Sequence, residues 1–461
     1  MRFAYAGRVV RRALLVLLLL PACHTKKEEA PKPAASAAAP ASMAIAVDAG
    51  PPAPACAPLA SVAPFAECGT TVVKTPPPDI EDPTGSLAPF WNRLGELERG
   101  TAKKRVRIGM YGDSNLTSDF LSGHLRRVLQ KRYGDAGHGW ISLSRPWGSY
   151  RHEDVTTAGF WPMFKLYAPT THVARDKEYG FANMAAQSSD VGAAAWAGTT
   201  KSDKALVGKT VSHFELHYLK QPHGGTMQVL VDKKEVKAVS TKADAFELGI
   251  EEVDVEDGPH EIRAAVKGDG PVRLFGTSLD RVPGPDRPGI QLDSLGAGAL
   301  NFQCATQVAE DTRKPGLEKR AYDLVVIWLG MNVMFVPPNR EFAKTFLTDL
   351  RAALPDTPIL VLSPGDTALD GETKSNPRIV AVVKQLREVA AEAKVAFWDF
   401  RDAMGGDGSI IGFTKRGLTG EDHIHFGPEG SKLMGDRLLC STTRAFAGYL
   451  AAHPDAGCAT R

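Results

Sequence analysis

The stretch Val106-Arg107-Ile108-Gly109-Met110-Tyr111-Gly112-Asp113-Ser114-Asn115 decides how the rest of the chain is read. Residues 106–110 form a short, largely apolar run of strand length, and it stops abruptly in Gly112-Asp113-Ser114. Beyond the turn, Phe120, Leu121, Leu125, Val128 and Leu129 recur at helical spacing, with Gly134 as the stop. A strand handing over to a helix through Gly-Asp-Ser puts a serine hydroxyl on a sharp, exposed turn, which is where an acyl-transfer nucleophile has to stand. A serine at a strand end is more often a plain turn or cap residue. Ser114 therefore needs partners, and two later stretches offer them: Gly330-Met331-Asn332 and Asp422-His423-Ile424-His425.

Outward from this stretch the chain alternates. Before it, Phe90, Trp91, Leu94 and Leu97 have the spacing of a short amphipathic helix. After residue 290, the run 324–329 is continuously apolar, as expected of a strand covered on both faces of a parallel sheet. A helix is expected over 340–354, a strand over 359–362, and a helix capped by Asn376 with Pro377 in its first turn. A strand over 395–398 and a last helix opening at Pro428 complete the series. Between about 140 and 288 the pattern is different. Ser212, Phe214, Leu216 and Tyr218 alternate with His213, Glu215 and His217, and further short strands follow around 227–231, 262–266 and 272–276. This block reads as a β-sandwich inserted into an α/β domain. His213, Glu215 and His217 share one strand face and could ligate a metal, but three polar residues at alternate positions are expected to be that strand's wet face. Trp161 and Trp196 could stack on sugars, although burial in the sandwich core is the expected fate of each.

Acyl transfer needs a nucleophile, a base, a group that orients the base, and donors for the oxyanion. Ser114 supplies the hydroxyl. His425 is the candidate base, and Asp422, three residues earlier in a loop, can reach its far ring nitrogen. His423 has the wrong spacing for that role and is assigned to structure or to the cleft rim. The Ser114 N–H, a glycine N–H and the Asn332 amide would make the oxyanion hole. The glycine is Gly296 or Gly298 in Asp293-Ser294-Leu295-Gly296-Ala297-Gly298-Ala299.

The ends and the composition bound the rest. Arg2, Arg8, Arg11 and Arg12 precede an apolar segment, 13–20, that is too short to span a bilayer. Residues 24–85 are rich in Ala and Pro and read as a disordered tether. Of 461 residues, 43% are hydrophobic, 23% are charged, and the net charge is +2, which argues against a nucleic-acid binder. The basic cluster Lys103, Lys104, Arg105 and Arg107 reads as a solvated approach to a strand. Six cysteines are present; Cys56 with Cys68 and Cys440 with Cys458 are the near-sequence pairs, with Cys304 left over, but spacing does not fix connectivity. There is no CxxC spacing of the kind that holds zinc.

Taken together, Gly112-Asp113-Ser114, the glycine near 298, Gly330-Met331-Asn332, and Asp422 with His425 before Phe426-Gly427-Pro428-Glu429-Gly430 occur in the order of the four blocks of SGNH/GDSL hydrolases, and the chain resembles that family. The resemblance implies a flavodoxin-like three-layer α/β/α sandwich and an esterase or acyl transferase that uses no cofactor. By motif position it implies Ser114 as nucleophile, His425 as base, Asp422 as its orienter, and Ser114, Gly298 and Asn332 as oxyanion donors. The stretches 132–140 and 273–276, with the inserted β block, are similar to bacterial peptidoglycan O-acetylesterases, whose insert looks like a carbohydrate-binding module. Two positions depart from the family: Val333 follows Asn332 where an acid is usual, and Asn115 stands where Leu or His is common. Leu20-Pro21-Ala22-Cys23 resembles the lipobox of bacterial lipoproteins, which implies lipidation of Cys23, and His24 after it implies the outer membrane, on its periplasmic or its outer side. The expected organisation is a signal over 1–23, a tether over 24–85, an α/β hydrolase domain over 86–140 and 289–452, a β-sandwich over 141–288 and a tail over 453–461. The expected activity is removal of O-acetyl groups from a cell-envelope glycan, peptidoglycan first. A glycan O-acetyltransferase with the same triad and a non-catalytic envelope-binding lipoprotein are the rivals.

Overall fold

The computed structural model describes residues 59, 61–143, 150–160, 164–166, 174–282, 288–334, 340–368 and 374–458. The expected signal, Cys23, most of the expected tether and Trp161 lie outside these residues, as does the side chain of Val333.

Five parallel strands form the central sheet, in the order Ile290–Gly296, Val106–Gly112, Leu324–Trp328, Ile359–Leu362, Ala396–Trp398. Numbered along the chain this is 2-1-3-4-5, the flavodoxin-like order. Period-two alternation sends side chains of each strand to opposite faces, and each face has its own core. Ile108, Met110, Leu292, Val326 and Trp328 pack under the helices Ala88–Arg99, Phe120–Tyr133 and Pro428–Ala452. Tyr111, Leu295, Val325, Ile327 and Val361 pack under Glu310–Arg320, Arg340–Ala353 and Pro377–Glu392. The result is the three-layer α/β/α sandwich. Asn376 caps its helix as expected, its side chain accepting from the Arg378 N–H. The edge strand Ile290–Gly296 is one that the pattern around Asp293 did not announce, since that stretch reads as a turn.

Between the first strand-and-helix pair and strand Ile290–Gly296, two antiparallel sheets face each other. One runs Glu247–Gly258, Val211–Lys220, Val272–Asp280, Ala185–Ser188, Phe164–Leu166, with Gly137–Ile141 also paired to Val272–Asp280. The other runs Val155–Phe160, Ala194–Thr199, Glu261–Val266, Thr226–Val231, Lys234–Ser240. Phe214, Leu216, Met227, Val229, Ile262 and Ala264 fill the space between them. Trp196 is not in that core. Its neighbours Ala195 and Ala197 point inward, and its own ring lies partly exposed on the other face under the Arg263 guanidinium, 4.3 Å from the ring centre.

Three expectations are corrected. The face carrying Glu215 and His217 is dry: the two residues are 3% and 0% exposed. It is dry because that sheet packs on the α/β domain through a buried ion network. Arg320 binds Glu215 at 3.0 Å and Asp293 at 2.9 Å. The approach to the first strand is solvated only at Lys103 and Lys104, which are exposed; Arg105 and Arg107 pair with the fully buried Asp280 at 3.0 and 2.9 Å. Nor does a tether extend to residue 85. From residue 61 the chain is packed on the last helix: Phe65 and Val73 are in the core, and Arg437 donates to the carbonyls of Cys68 and Thr75. A disulfide joins Cys68 to Cys440, 372 residues apart, so neither near-sequence pair forms; Cys458 is also disulfide-bonded, and Cys304 is a buried free thiol.

Candidate active site

Gly112, the last residue of the first strand, is in register with Gly296 on one side and Trp328 on the other. The loops after these three strands therefore leave the sheet side by side at its C-terminal edge. Strand order reverses at this edge, and open α/β sheets place their ligand crevice there. A side chain on Gly296 would come within 2.7 Å of the Leu116 carbonyl carbon and 2.8 Å of the Thr117 nitrogen, so only glycine admits the Ser114 turn. The turn is fixed from within. Leu116 N–H donates to Asp113 O, Thr117 Oγ1 donates to Ser114 O, and Asn115 N–H donates to the Asp113 carboxylate at 3.0 Å. Burial pushes the Asp113 carboxyl up to about 6, against the lowering effect of the Asn115 N–H and of His425.

Ser114 Oγ lies 2.7 Å from His425 Nε2, and His425 Nδ1 lies 2.6 Å from Asp422 Oδ2. The other Asp422 oxygen accepts the N–H groups of Ile424 and His425 at 3.0 and 3.1 Å. Burial alone would raise the Asp422 carboxyl, but these bonds outweigh it and hold the group below its usual range. An ionised Asp422 keeps the proton on Nδ1. That leaves the Nε2 lone pair facing the serine hydroxyl, the tautomer a general base requires. The side chains of Asp422 and His425 are each 47% exposed, so the dyad opens to solvent and to a large substrate.

The loop carrying the dyad is tied down on every side. Gly420 N–H donates to His425 O, and Gly427 N–H donates to Leu418 O. Phe426 is packed among Trp328, Phe400 and Phe413. His423 is a structural residue, as expected: its Nδ1 bonds Thr414 Oγ1 at 2.8 Å, and its carbonyl accepts from Thr367 Oγ1. A contact that sequence reading missed crosses from the nucleophile turn, where Asn115 Oδ1 accepts the Phe426 N–H at 3.0 Å.

The oxyanion candidates divide by position. Gly296 is a strand residue that provides close approach. Gly298 lies one turn further, between Ala297, whose N–H donates to Gly112 O, and Leu300. Asn332 sits in the short 3-10 turn Met331–Met334, and one hydrogen of its amide is given to Leu300 O at 3.0 Å. That bond orients the amide and leaves its second hydrogen available.

Among the described residues two clusters have the residue types of a metal site, and both are closed by ion pairs and hydrogen bonds. Asp119, His138 and His152 converge, but both Asp119 oxygens bind Arg126, and the two imidazoles bond each other at 2.8 Å. In the set of His213, Glu215 and Glu252, the carboxylates are held by Arg320 and Lys319.

Residues 269–433 match the GDSL-like lipase/acylhydrolase family, a span that takes in Gly298, Asn332, Asp422 and His425 and begins after Ser114. A solved structure of a peptidoglycan O-acetylesterase superposes with a TM-score of 0.65 at 19% identity, over 80% of this chain and 99% of that one, and the two share a fold. A family two carbohydrate esterase from Clostridium thermocellum, solved with cellohexaose, aligns over 59% of this chain and 96% of its own at 12% identity and a TM-score of 0.26. No curated protein matches the chain by sequence.

Proposed function

We propose that this chain, which carries a GDSL-type lipase/acylhydrolase domain, is a serine esterase that removes O-acetyl groups from a cell-envelope glycan, with peptidoglycan as the first candidate. The observation that carries the reading is the hydrogen-bonded series Ser114 Oγ, His425 Nε2, His425 Nδ1, Asp422 Oδ2 at the mouth of the sheet. Ser114 Oγ attacks the acetyl carbonyl carbon while its proton passes to His425 Nε2. The carbonyl oxygen, now negative, takes N–H donors from Ser114, Gly298 and Asn332; each such donor lowers the barrier by about 3 kcal/mol. The intermediate collapses by breaking the bond to the sugar oxygen, which leaves with the proton from His425. Water then repeats the sequence on the acetyl-enzyme, giving up a proton to His425 and releasing acetate. Asp422 balances the imidazolium in both halves.

The likeness in fold of 80% of this chain to a peptidoglycan O-acetylesterase supports the choice of glycan, as does the export signal read over 1–23. Lipidation of Cys23 and outer-membrane anchoring belong to the same reading and rest on Leu20-Pro21-Ala22-Cys23. Purified protein incubated with O-acetylated peptidoglycan should release acetate, and Ser114→Ala should release none. Equal release by the variant removes the mechanism, and no release by either removes the substrate. Membrane fractionation of Cys23→Ala, expected in the soluble fraction, tests the anchor.

A further inference from the structure

We infer that Asn115 is a positioning residue for acyl transfer: its side-chain oxygen sets the distance between the nucleophile and the base. The inference rests on the triad assigned above. Ser114 and His425 come from opposite ends of the chain, 311 residues apart, and their loops meet only at the sheet edge. A 2.7 Å contact between two such loops needs a fixed strut beside it. Asn115 directly follows the nucleophile, and Phe426 directly follows the base. The bond between them, from Phe426 N–H to Asn115 Oδ1 at 3.0 Å, is buried and runs one residue away from the reacting pair. Asn115 is itself held at both ends. Its N–H is on Asp113, and the whole residue is only 4% exposed. Its rotamer cannot relax without leaving the Phe426 N–H unpaired in a dry site.

Other side chains hold the base loop without reaching the nucleophile. His423 ties it to Thr414 and Thr367, and Phe426 packs downward on Trp328 and Phe400. These contacts fix the loop to its own side of the sheet. Asn115 fixes it to the serine. A displacement of about 1 Å between reacting groups can cost about 100-fold in rate, which is the scale expected if this strut is lost.

The test compares Asn115→Leu, which keeps the branching of the side chain and removes the acceptor, with Asn115→Asp, which keeps an acceptor oxygen in the same place. Each is measured for steady-state hydrolysis of an aryl acetate and for the rate of Ser114 labelling by a fluorophosphonate. The expected result for Asn115→Leu is a kcat lower by about 10- to 100-fold with KM within about twofold, and labelling slowed by the same factor. Asn115→Asp should recover most of both rates. Three results overturn the inference: an unchanged kcat in Asn115→Leu, a raised KM with kcat intact, or an equal loss in both variants. If Asn115→Leu does not fold, Asn115→Ala, which removes the acceptor without adding bulk, takes its place, and an unchanged kcat and labelling rate in that variant overturn the inference. Wild-type protein that neither hydrolyses the ester nor takes the label would instead sink the triad reading, whatever the variants do.

Discussion

The mechanism proposed for this sheet edge depends on the state of one carboxylate. Asp422 accepts three hydrogen bonds, from the imidazole Nδ1 and from two backbone N–H groups, and is held ionised by them. Asp422→Asn would keep the backbone bonds and lose the charge that fixes the tautomer of His425. A kcat loss of about 1,000- to 10,000-fold is expected, with KM little changed, as for orienting aspartates in general. Steady-state kinetics on an aryl acetate checks this, and a loss below tenfold would mean that His425 is oriented by something else. At this scale the three side chains that the structure brings into one hydrogen-bonded series, Ser114, His425 and Asp422, were legible in the sequence, because a strand-end serine and a later Asp-x-x-His carry their spacing with them. Asn115 was legible only as a departure from the family. Its function comes from Phe426, more than 300 residues away, and no local pattern encodes that meeting.

Among the elements, the join between the nucleophile helix and the first strand of the sandwich holds two buried imidazoles and is expected to respond to acid. His138, on Gly137–Ile141, and His152 bond each other in a dry pocket, with Tyr150 behind and the Asp119–Arg126 pair in front. Burial holds His152 down to about 4 and His138 well below its usual value, and His217 is lowered by the same cause. An imidazole lowered in the fold binds its proton in the unfolded chain first. The stability it contributes is full above about pH 6.5 and is lost as pH falls through that value toward 4. Asp113, pushed up to about 6, and Asp135 and Glu178, also raised by burial, act in the opposite direction, so the cluster is read from a difference between two proteins. The urea midpoint of a His138→Gln variant should fall less between pH 7 and pH 4.5 than that of wild type. The same pH dependence in both proteins would count against the cluster as an acid-sensitive joint. The sequence placed Glu215 and His217 on a wet face because alternation reports only that a strand has two unlike faces. Which face meets solvent is decided by whatever packs on it, here Arg320.

For the molecule as a whole, the last helix and the segment before the first helix act as one clasp. Cys68–Cys440 closes a span of 372 residues that contains both domains, and Arg437 and Arg444 add bonds to carbonyls between Cys68 and Pro78. A cross-link over so long a loop contributes about 2–5 kcal/mol, mostly by restricting the unfolded chain. A Cys68→Ser, Cys440→Ser double variant should melt several degrees lower, as should wild type under reductant, with hydrolysis at 25 °C retained. An unchanged melting temperature would make the bridge incidental. Local patterns were enough to establish the parallel strands at 106, 324, 359 and 395, the helices between them, the inserted sandwich and the order of the catalytic blocks, because periodicity and turn residues act over neighbouring positions. Only the tertiary structure decided the fifth strand at Ile290–Gly296, the pairing of Cys68 with Cys440, the dry face of Val211–Lys220 and the bond from Phe426 to Asn115. Each of those depends on partners distant in sequence, and their free energy appears only when packing brings them together.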